Sequence, residues 1–217
     1  MEKIKISSKN LKIIIEKVAG LIQQGRVIVC PTDTVYGLIA DVQNKDAVEK
    51  VFKIKKRRPQ KPLPVFVKNL EMTKSLAHIN KSQEKFLKKI WPGKITVILK
   101  AKTKDFPRGI VSKDKKIGLR VPKYDFLNAL LEKVNCPLTG TSANISGEPA
   151  STKIKEVLKQ FKNQLSTKNG GVQPDIFLDA GDLKFSSSST VIDLIDFKIL
   201  RRGEFPKKKL EKLIDIL

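Results

Sequence analysis

The sequence predicts a mixed α/β fold, and three observations lead to it. Segments with apolar residues at helical spacing alternate along the chain with short apolar runs that are typical of strands. These runs outnumber the strands that simple β–α alternation would place in parallel, so we expect a twisted mixed β-sheet flanked by helices. No stretch has the composition of an interdomain linker, so residues 1–217 are expected to form a single domain.

Strands are predicted where short apolar runs are bounded by turn-forming residues. The first of them alternates charged and apolar residues, and the others are mostly continuous, as in buried strands. In chain order these runs are residues 1–6, 27–30, 62–67, 95–99, 117–121, 137–139, 176–179, 189–194 and 199–201.

Helices are predicted where apolar residues recur every three or four positions. In the first one Asn10 is a candidate N-cap and Gly25 ends the pattern, while Ser151 or Thr152 is the expected cap of the fifth. Asn169-Gly170-Gly171 predicts a turn before the strand at 176–179. In chain order the helical segments are residues 10–24, 45–56, 82–90, 124–133, 153–161 and 206–216.

The composition is that of a folded protein with a large excess of positive charge. Hydrophobic residues make up 40% of the chain, and 44 Lys and Arg against 22 Asp and Glu give a net charge of +22. Such an excess favours polyanionic partners, for example double-stranded RNA or tRNA. The lysines are scattered over predicted helix faces, which equally fits a solvated surface, and an aromatic content of 6% is low for a protein that stacks bases.

Nothing in the sequence predicts a membrane protein. No apolar stretch approaches the ~20 residues that span a bilayer, and the N-terminus lacks the apolar core of a signal peptide. Cys30 and Cys136 both lie in apolar strand-like runs. We therefore expect both thiols to be reduced and buried, as in a cytoplasmic protein with no membrane partner.

Two polar segments each follow a predicted core strand. One is Pro31-Thr32-Asp33-Thr34-Val35-Tyr36-Gly37-Leu38, and the other is Thr141-Ser142-Ala143-Asn144-Ile145-Ser146-Gly147-Glu148-Pro149. Both present small hydroxyl and amide side chains next to a glycine at the end of a strand. This pattern indicates a pocket for a polar small molecule.

Cations provide the candidate anion-binding groups. Six of them lie within nine residues of the segment Lys53-Ile54-Lys55-Lys56-Arg57-Arg58-Pro59-Gln60-Lys61. These side chains fit an anion site, and they equally fit a solvated helix end that complements the helix dipole. Arg120 lies within a predicted core strand, so its charge must either pair with a buried acid or face a cavity.

Several kinds of active site are absent from the sequence. There is no glycine-rich phosphate loop that ends in Gly-Lys-Ser/Thr, no Gly-x-Gly-x-x-Gly after a strand and no zinc-binding spacing. His78 stands alone, and no base for a catalytic triad is evident. The sequence therefore favours chemistry by positioning and electrostatics over a covalent nucleophile.

The two polar segments and five further motifs resemble the YrdC-like family of threonylcarbamoyl-AMP synthases. The motifs occur in the family's order, from about residue 13 to residue 203. The five are Ile54-Lys55-Lys56-Arg57 followed by Pro62-Leu63, Trp91-Pro92-Gly93, Gly118-Leu119-Arg120-Val121-Pro122, Ser189-Thr190-Val191-Ile192-Asp193 and Ile199-Leu200-Arg201-Arg202-Gly203.

The resemblance implies a reaction. L-Threonine, bicarbonate or CO2, and ATP would give L-threonylcarbamoyladenylate and pyrophosphate. The adenylate would then serve the threonylcarbamoyladenosine modification of tRNA. Mg2+ is expected to accompany ATP, with no protein ligand assignable. The expected partners are these substrates, the downstream tRNA threonylcarbamoyltransferase machinery and a possible tRNA or double-stranded RNA contact.

The resemblance also implies roles for individual residues. Lys55 and Arg57, on the family's Lys-x-Arg, are the expected catalytic cations. The residues expected to bind threonine are Thr32, Thr34, Arg120, Ser142 and Ser189. The residues expected to bind the nucleotide are Lys55, Arg57, Ser112, Asn144 and Arg201.

One position departs from the family pattern. Many members have Pro-Leu-x-Val-His where this chain has Pro62-Leu63-Pro64-Val65-Phe66. Phe66 cannot donate a hydrogen bond, so the site must close there by packing. The contact made by that histidine cannot be carried over.

Two other functions remain open at this point. The charge favours a non-catalytic binder of double-stranded RNA or tRNA. A carbamoyl-transfer enzyme of hydrogenase maturation shares this domain, but it requires an acylphosphatase module and cysteine-rich zinc motifs. Only about 14 residues follow Gly203, so we expect the short, single-domain form of the synthase.

Overall fold

The strands form two hydrogen-bonded sheets in this computed structural model, which describes residues 2–102, 105–165 and 171–214. Most strands are short, and the longest in these described ranges is β6, with seven residues. The strands are β1 (Glu2–Lys5), β2 (Ile28–Cys30), β3 (Gly37–Ile39), β4 (Val65–Phe66), β5 (Ala77–His78), β6 (Ile95–Ala101), β7 (Lys116–Arg120), β8 (Leu138–Thr139), β9 (Thr141–Ser142), β10 (Ile176–Asp179), β11 (Thr190–Asp193) and β12 (Lys198–Arg201).

Six helices lie between strands in the described part of the chain, and a seventh follows the last strand. The helices are α1 (Leu11–Gln23), α2 (Lys45–Lys55), α3 (Leu70–Leu76), α4 (Lys81–Ile90), α5 (Asp125–Val134), α6 (Ile154–Leu165) and α7 (Lys207–Ile214). No helix in the described ranges is both long enough and apolar enough to cross a membrane.

Both sheets mix parallel and antiparallel pairs. The first has five strands in the order β1-β10-β2-β3-β9. The second has seven strands, six of them in the order β12-β11-β6-β7-β4-β8, and β5 pairs with β6 beside this path. The predicted mixed α/β class is confirmed, and its strands are divided between two sheets.

The chain crosses from one sheet to the other at Gly140. Strand β8 pairs with β4 in the second sheet, whereas β9 pairs with β3 in the first. Gly140 alone separates the two strands, and its amide donates to the Pro64 carbonyl at 2.7 Å. The polar residues around this crossing therefore lie where the two sheets meet.

The core lies on both sides of these sheets. One group of buried residues joins α1 to α5, with Val18 and Ile22 packed in the same cluster as Leu127 and Leu130. A larger group fills the space around β6, β7 and α4. Phe66 belongs to the first group, so it is held by the core although it also faces the functional site.

Prolines shorten one predicted strand. The run 62–67 contributes only Val65–Phe66 to the second sheet, because Pro62 and Pro64 have no N–H to donate to a ladder.

Helix α1 starts at Leu11, but the side chain of Asn10 does not cap it. The Oδ1 of Asn10 accepts from the Ser7 amide instead. The predicted turn at Asn169-Gly170-Gly171 extends outside the described residues.

Four elements were not predicted from the sequence: α3, β3, β5 and β9. The three strands have two or three residues each, and so short a pattern cannot be recognised without its pairing partner. The N-cap of α3 is Asn69, whose side chain accepts from the Met72 amide at 2.9 Å.

The two cysteines are not joined by a disulfide. Cys30 is fully buried in β2, where burial raises the pKa of its thiol. Cys136 is only partly buried, so the expectation of two buried thiols is wrong for this residue. Its partial burial raises the pKa of the thiol to about 12.

Candidate functional site

A polar cavity opens where the two sheets meet. We call it the central cavity and define it by the six residues Thr32, Thr34, Arg57, Arg120, Ser142 and Arg201, all of which line it. They come from the segment after β2, the end of α2 and strands β7, β9 and β12. Residues from distant parts of the sequence are therefore brought together.

Thr32 and Thr34 form a compact turn at the base of this cavity. The Thr32 hydroxyl donates to the Val35 carbonyl at 2.7 Å and accepts from the Thr34 amide at 3.0 Å. Both threonines are buried. Thr34 Oγ1 lies 3.1 Å from Thr32 Oγ1 and 3.4 Å from Arg120 Nη1, so it keeps one lone pair for a ligand, whereas the Thr32 hydroxyl is fully used.

Arg120 is buried and held from several directions. Its Nη2 donates to Asp33 Oδ1 at 2.6 Å, its Nε to the Gly93 carbonyl at 2.9 Å and its Nη1 to Thr34 Oγ1 at 3.4 Å. Burial lowers the pKa of Arg120, and the charge of Asp33 opposes this shift. Arg120 thus both pairs with an acid and faces a cavity, the two possibilities that its sequence position left open.

Arg57 closes the basic loop at the end of α2. Helix α2 ends at Lys55, and its C-cap, Lys56, has a left-handed backbone with φ 49°. The Nε of Arg57 then donates to the Lys61 carbonyl at 2.8 Å, and its Nη2 donates to the Pro62 carbonyl at 3.1 Å. Burial lowers the pKa of Arg57, and the nearby charge of Arg201 lowers it further.

Arg201 lies at the solvent-exposed mouth of the central cavity. Its Nε and Nη2 donate to the Ser189 carbonyl at 3.1 and 2.7 Å, and Nη2 also reaches Ser189 Oγ at 3.1 Å. Ser189 Oγ in turn lies 2.9 Å from Thr96 Oγ1. Ser189 therefore positions Arg201 as well as lining the cavity itself.

Lys55 does not present a free ammonium group. It is 2% exposed, and its Nζ donates to the Ser142 carbonyl at 2.6 Å, the Asn144 carbonyl at 2.9 Å and Asn144 Oδ1 at 3.0 Å. These bonds use all three of its protons. Burial lowers the pKa of Lys55 to about 7, with a further contribution from Arg57.

Asn144 is also occupied by its own loop. Its Oδ1 accepts from Ser142 Oγ at 2.6 Å as well as from Lys55, and its Nδ2 donates to the carbonyls of Ile145 and Glu148. Lys55 and Asn144 thus fix the loop at residues 142–144 instead of pointing free groups into the central cavity. The Ser142 hydroxyl, which lines that cavity, keeps acceptor capacity.

A second hollow adjoins the central cavity, because Arg57 and Ser142 line both. Its rim carries the exposed cations Lys56, Arg58 and Lys61. Lys55 and Asn144 lie in its wall. Every predicted site residue except Ser112 therefore belongs to one of two connected cavities.

Ser112 lies elsewhere. It lines a separate hollow together with His78 and Lys100, and its hydroxyl accepts from the Lys116 amide at 3.0 Å. His78 is exposed in β5. This structure does not bring Ser112 to the central cavity.

Asp33 is a site residue that sequence reasoning missed. Its two carboxylate oxygens accept from Arg120 Nη2 and from the Lys123 amide at 3.0 Å. The signal was present, since an acid directly after a core strand needs a partner, and a buried arginine was already expected.

Gly203 was likewise unassigned. A Cβ there would contact the Ser188 and Ser189 backbone, so only glycine allows the chain to pass this close to these serines.

The net charge of the central cavity is positive. Arg57, Arg120 and Arg201 line it, whereas Asp33 is the one acid paired with any of these three guanidinium groups in the described part of the chain. A guanidinium group is suited to carboxylate and phosphate oxygens. The arrangement therefore fits a ligand with two or more anionic groups and several hydroxyl-bonding positions.

The sequence of this chain matches a protein-family model and several known proteins. The Sua5/YciO/YrdC family model, described as "Telomere recombination", matches residues 20–203. A protein of Methanocaldococcus jannaschii is 35% identical over 209 residues, which cover 95% of this chain and 94% of that protein. The threonylcarbamoyl-AMP synthase of Pyrococcus abyssi is 32% identical over 199 residues, which cover 90% of this chain and 56% of that protein. The chain thus spans little more than half of the Pyrococcus relative.

Comparison of structures gives the same result. The structure of P. abyssi Sua5 complexed with L-threonine matches with a TM-score of 0.85 and 30% identity, covering 100% of this chain and 61% of that one. The structure of Escherichia coli YciO matches with a TM-score of 0.78 and 27% identity, covering 93% of this chain and 94% of that one.

Proposed function

Because this chain belongs to the Sua5/YciO/YrdC family, we propose that it is an L-threonylcarbamoyladenylate synthase. It joins L-threonine, bicarbonate or CO2, and ATP into threonylcarbamoyl-AMP and releases pyrophosphate. The product supplies the carbamoyl-threonine group for the threonylcarbamoyladenosine of tRNA, through the transferase machinery that acts next.

One observation carries this proposal. Three guanidinium groups converge on a single cavity in which one carboxylate, Asp33, pairs with Arg120. Hydroxyl groups from Thr34, Ser142 and Ser189 surround them. A zwitterionic hydroxy-amino acid and a nucleotide phosphate together provide the anionic and hydroxyl groups that such a cavity accommodates.

The two cavities divide the substrates. Threonine occupies the central cavity among Thr32, Thr34, Arg120, Ser142 and Ser189, with its carboxylate on Arg120. The α-phosphate of ATP lies at the junction of the two cavities, where Arg57 lines both and Arg201 approaches from the mouth. Lys55 and Asn144 act on the nucleotide through the loop that they hold. Ser112 would contribute only through movement of its own segment.

The chemistry follows from this placement. The neutral amine of threonine attacks CO2, which is supplied directly or by dehydration of bicarbonate, and loses a proton to solvent, which gives the N-carboxylate of a carbamate. An oxygen of this carbamate attacks the α-phosphorus of ATP, and the bond to the β-phosphate oxygen breaks as pyrophosphate leaves. Alignment of the two substrates, with cations facing the phosphates, supplies the catalysis without a protein nucleophile.

Mg2+ enters with ATP in this proposal. Asp33 is already engaged by Arg120 and the Lys123 amide, and the described residues contain no group of three metal-binding side chains. The phosphates of ATP would therefore hold the ion, and its role would be to neutralise charge on them.

A contact with tRNA would involve the exposed cations on the rim of the second hollow. A cytoplasmic location would place the enzyme beside that RNA.

The test is pyrophosphate release by the purified protein. We expect release from ATP only when both L-threonine and bicarbonate are present, with the adenylate detected by mass spectrometry. If no combination of substrates gives pyrophosphate, while the protein binds double-stranded RNA or tRNA with strong salt dependence, the binding-protein alternative replaces the enzyme.

A further inference from the structure

Phe66 is an apolar side chain inside a cavity that is otherwise mostly polar. It lies in β4, is 3% exposed and lines the central cavity beside Pro64 and Val35. The hydroxyl-bearing and cationic side chains occupy the rest of the wall. Of the purely hydrocarbon side chains that line this cavity, Phe66 is the largest.

The ring of Phe66 is fixed in place. A Cβ atom added to Gly140 would lie 3.1 to 3.2 Å from three of its ring atoms, so the ring lies against the Gly140 backbone. The guanidinium carbon of Arg120 is 5.8 Å from the ring centroid. Backbone pairing of Phe66 with both Arg120 and Leu138 holds the strand itself. The ring therefore cannot turn away from the cavity without disturbing the core.

Arg120 and Phe66 lie together, and this limits where an amino acid can place its side chain. An amino acid whose carboxylate is bound by Arg120 would have its α-carbon near the Phe66 ring, since the guanidinium carbon lies 5.8 Å from the ring centroid. A side-chain hydroxyl would then turn toward the hydroxyl of Thr34 or Ser142, each of which keeps acceptor capacity. A methyl group on the β-carbon that carries this hydroxyl would then face the apolar side chains of Phe66, Pro64 and Val35.

We propose that Phe66 is the specificity-determining residue for the amino acid, because its ring packs against the methyl group of threonine and so selects threonine over serine. This inference rests on the proposed function. One methyl group in an apolar pocket discriminates by roughly 10- to 200-fold in kcat/KM.

The experiment compares kcat/KM for L-threonine and L-serine in the wild type, Phe66→Leu and Phe66→Ala. We expect the threonine-to-serine ratio to fall about 10-fold in Phe66→Ala and less in Phe66→Leu, chiefly through a higher KM for threonine. Phe126→Leu is the matched control, because Phe126 is buried in the same core group but does not line the cavity. Its ratio should equal that of the wild type.

Calorimetric binding of L-threonine and L-serine, without ATP, provides a second measurement that does not need catalysis. An unchanged ratio in a folded Phe66→Leu or Phe66→Ala protein would overturn the assignment, and so would equal binding of both amino acids by the wild type. A wild type that binds threonine selectively but never releases pyrophosphate would instead contradict the proposed function and leave the role of Phe66 standing.

Discussion

Lys55 and Asn144 are joined twice, because the Nζ of Lys55 donates to the Asn144 carbonyl at 2.9 Å and to its Oδ1 at 3.0 Å. The third proton of Nζ reaches the Ser142 carbonyl. A lysine expected to meet the nucleotide is thus engaged entirely with a loop of the protein. The loop at residues 142–144 carries Ser142 into both cavities, so its geometry depends on this lysine.

Lys55→Met should therefore lower kcat/KM by about 100-fold or more and destabilise the fold by about 1–3 kcal/mol, since it leaves buried carbonyl oxygens without a donor. Asn144→Ala should act through the same loop. The double variant should then lose much less activity than the sum of the two losses predicts. Additive losses in steady-state kinetics would show that the two residues act separately.

The stability contributed by Lys55 should change with pH. Burial lowers the pKa of Lys55 from its ordinary value of 10.5 to about 7, although the three oxygens around Nζ oppose that shift. Between about pH 7 and 10.5 the unfolded chain then binds more protons than the folded one, so the free energy of unfolding should rise with pH across this window.

Urea unfolding of the wild type and Lys55→Met from pH 6 to pH 10 measures this effect. The free energy of unfolding of the wild type, relative to that of the variant, should increase as the pH rises from 7 to 10. It should be lowest at the acidic end of the series. Parallel curves for the two proteins would mean that Lys55 stays protonated in the fold throughout.

Anions should stabilise the protein through the arginines of the central cavity. Pyrophosphate that binds only the folded state adds about 2.7 kcal/mol at 100 times its dissociation constant. We expect this gain, read as a rise in Tm, to be largely lost in Arg57→Met/Arg201→Met. Lys198→Met is the control, because Lys198 is exposed on the same strand as Arg201. An equal loss in the control would indicate a non-specific charge effect.

The pair of Asp33 and Arg120 should be strongly coupled. Its side chains are 6% and 4% exposed, and breaking a buried pair by removing one partner costs about 3–5 kcal/mol. Asp33→Asn should show a loss of that size in chemical denaturation. Asp33→Asn/Arg120→Met should lose less than the two single losses together, and strict additivity would contradict the coupling.

Gly203 should be intolerant of a side chain. Its Cβ would contact the backbone of Ser188 and Ser189, which line the central cavity. Gly203→Ala should therefore displace these serines together with Arg201 and reduce kcat/KM at least 10-fold. Gly20→Ala is the control, because nothing lies within 4 Å of that position in α1 and the change should stabilise the helix by about 0.5–1 kcal/mol. Full activity of Gly203→Ala would refute the argument.

Much of the fold was predictable because strong local patterns encode it. The apolar periodicity of α1, α2 and α5 and the continuous apolar run of β2 come from residues near one another in sequence. The division into two sheets was not predictable, since it depends on pairings such as β3 with β9 between residues about a hundred positions apart. Strands of two or three residues carry too little pattern to reveal such partners.

The site shows the same limit. The family resemblance placed Thr32, Arg120 and Ser142 in one pocket, whereas the residues alone indicated only that each follows or lies in a core strand. They could not show that the hydrogen bonds of Lys55 are satisfied by Asn144, because that depends on where the two loops meet in the folded chain. Phe66 was noted only as a position without a hydrogen-bonding group. Its contacts with Gly140 and Arg120 are what give it a role.

The crossing at Gly140 has a consequence for motion. Side chains around the central cavity belong to two separately hydrogen-bonded sheets, with Ser142 on one and Arg120 on the other. A substrate held by both would act as a cross-link, and it would damp the movement of one sheet against the other. Amide hydrogens along β3, β7 and β9 would then exchange with solvent more slowly in the substrate-bound protein. Substrate binding would therefore be detectable as slower amide exchange in both sheets.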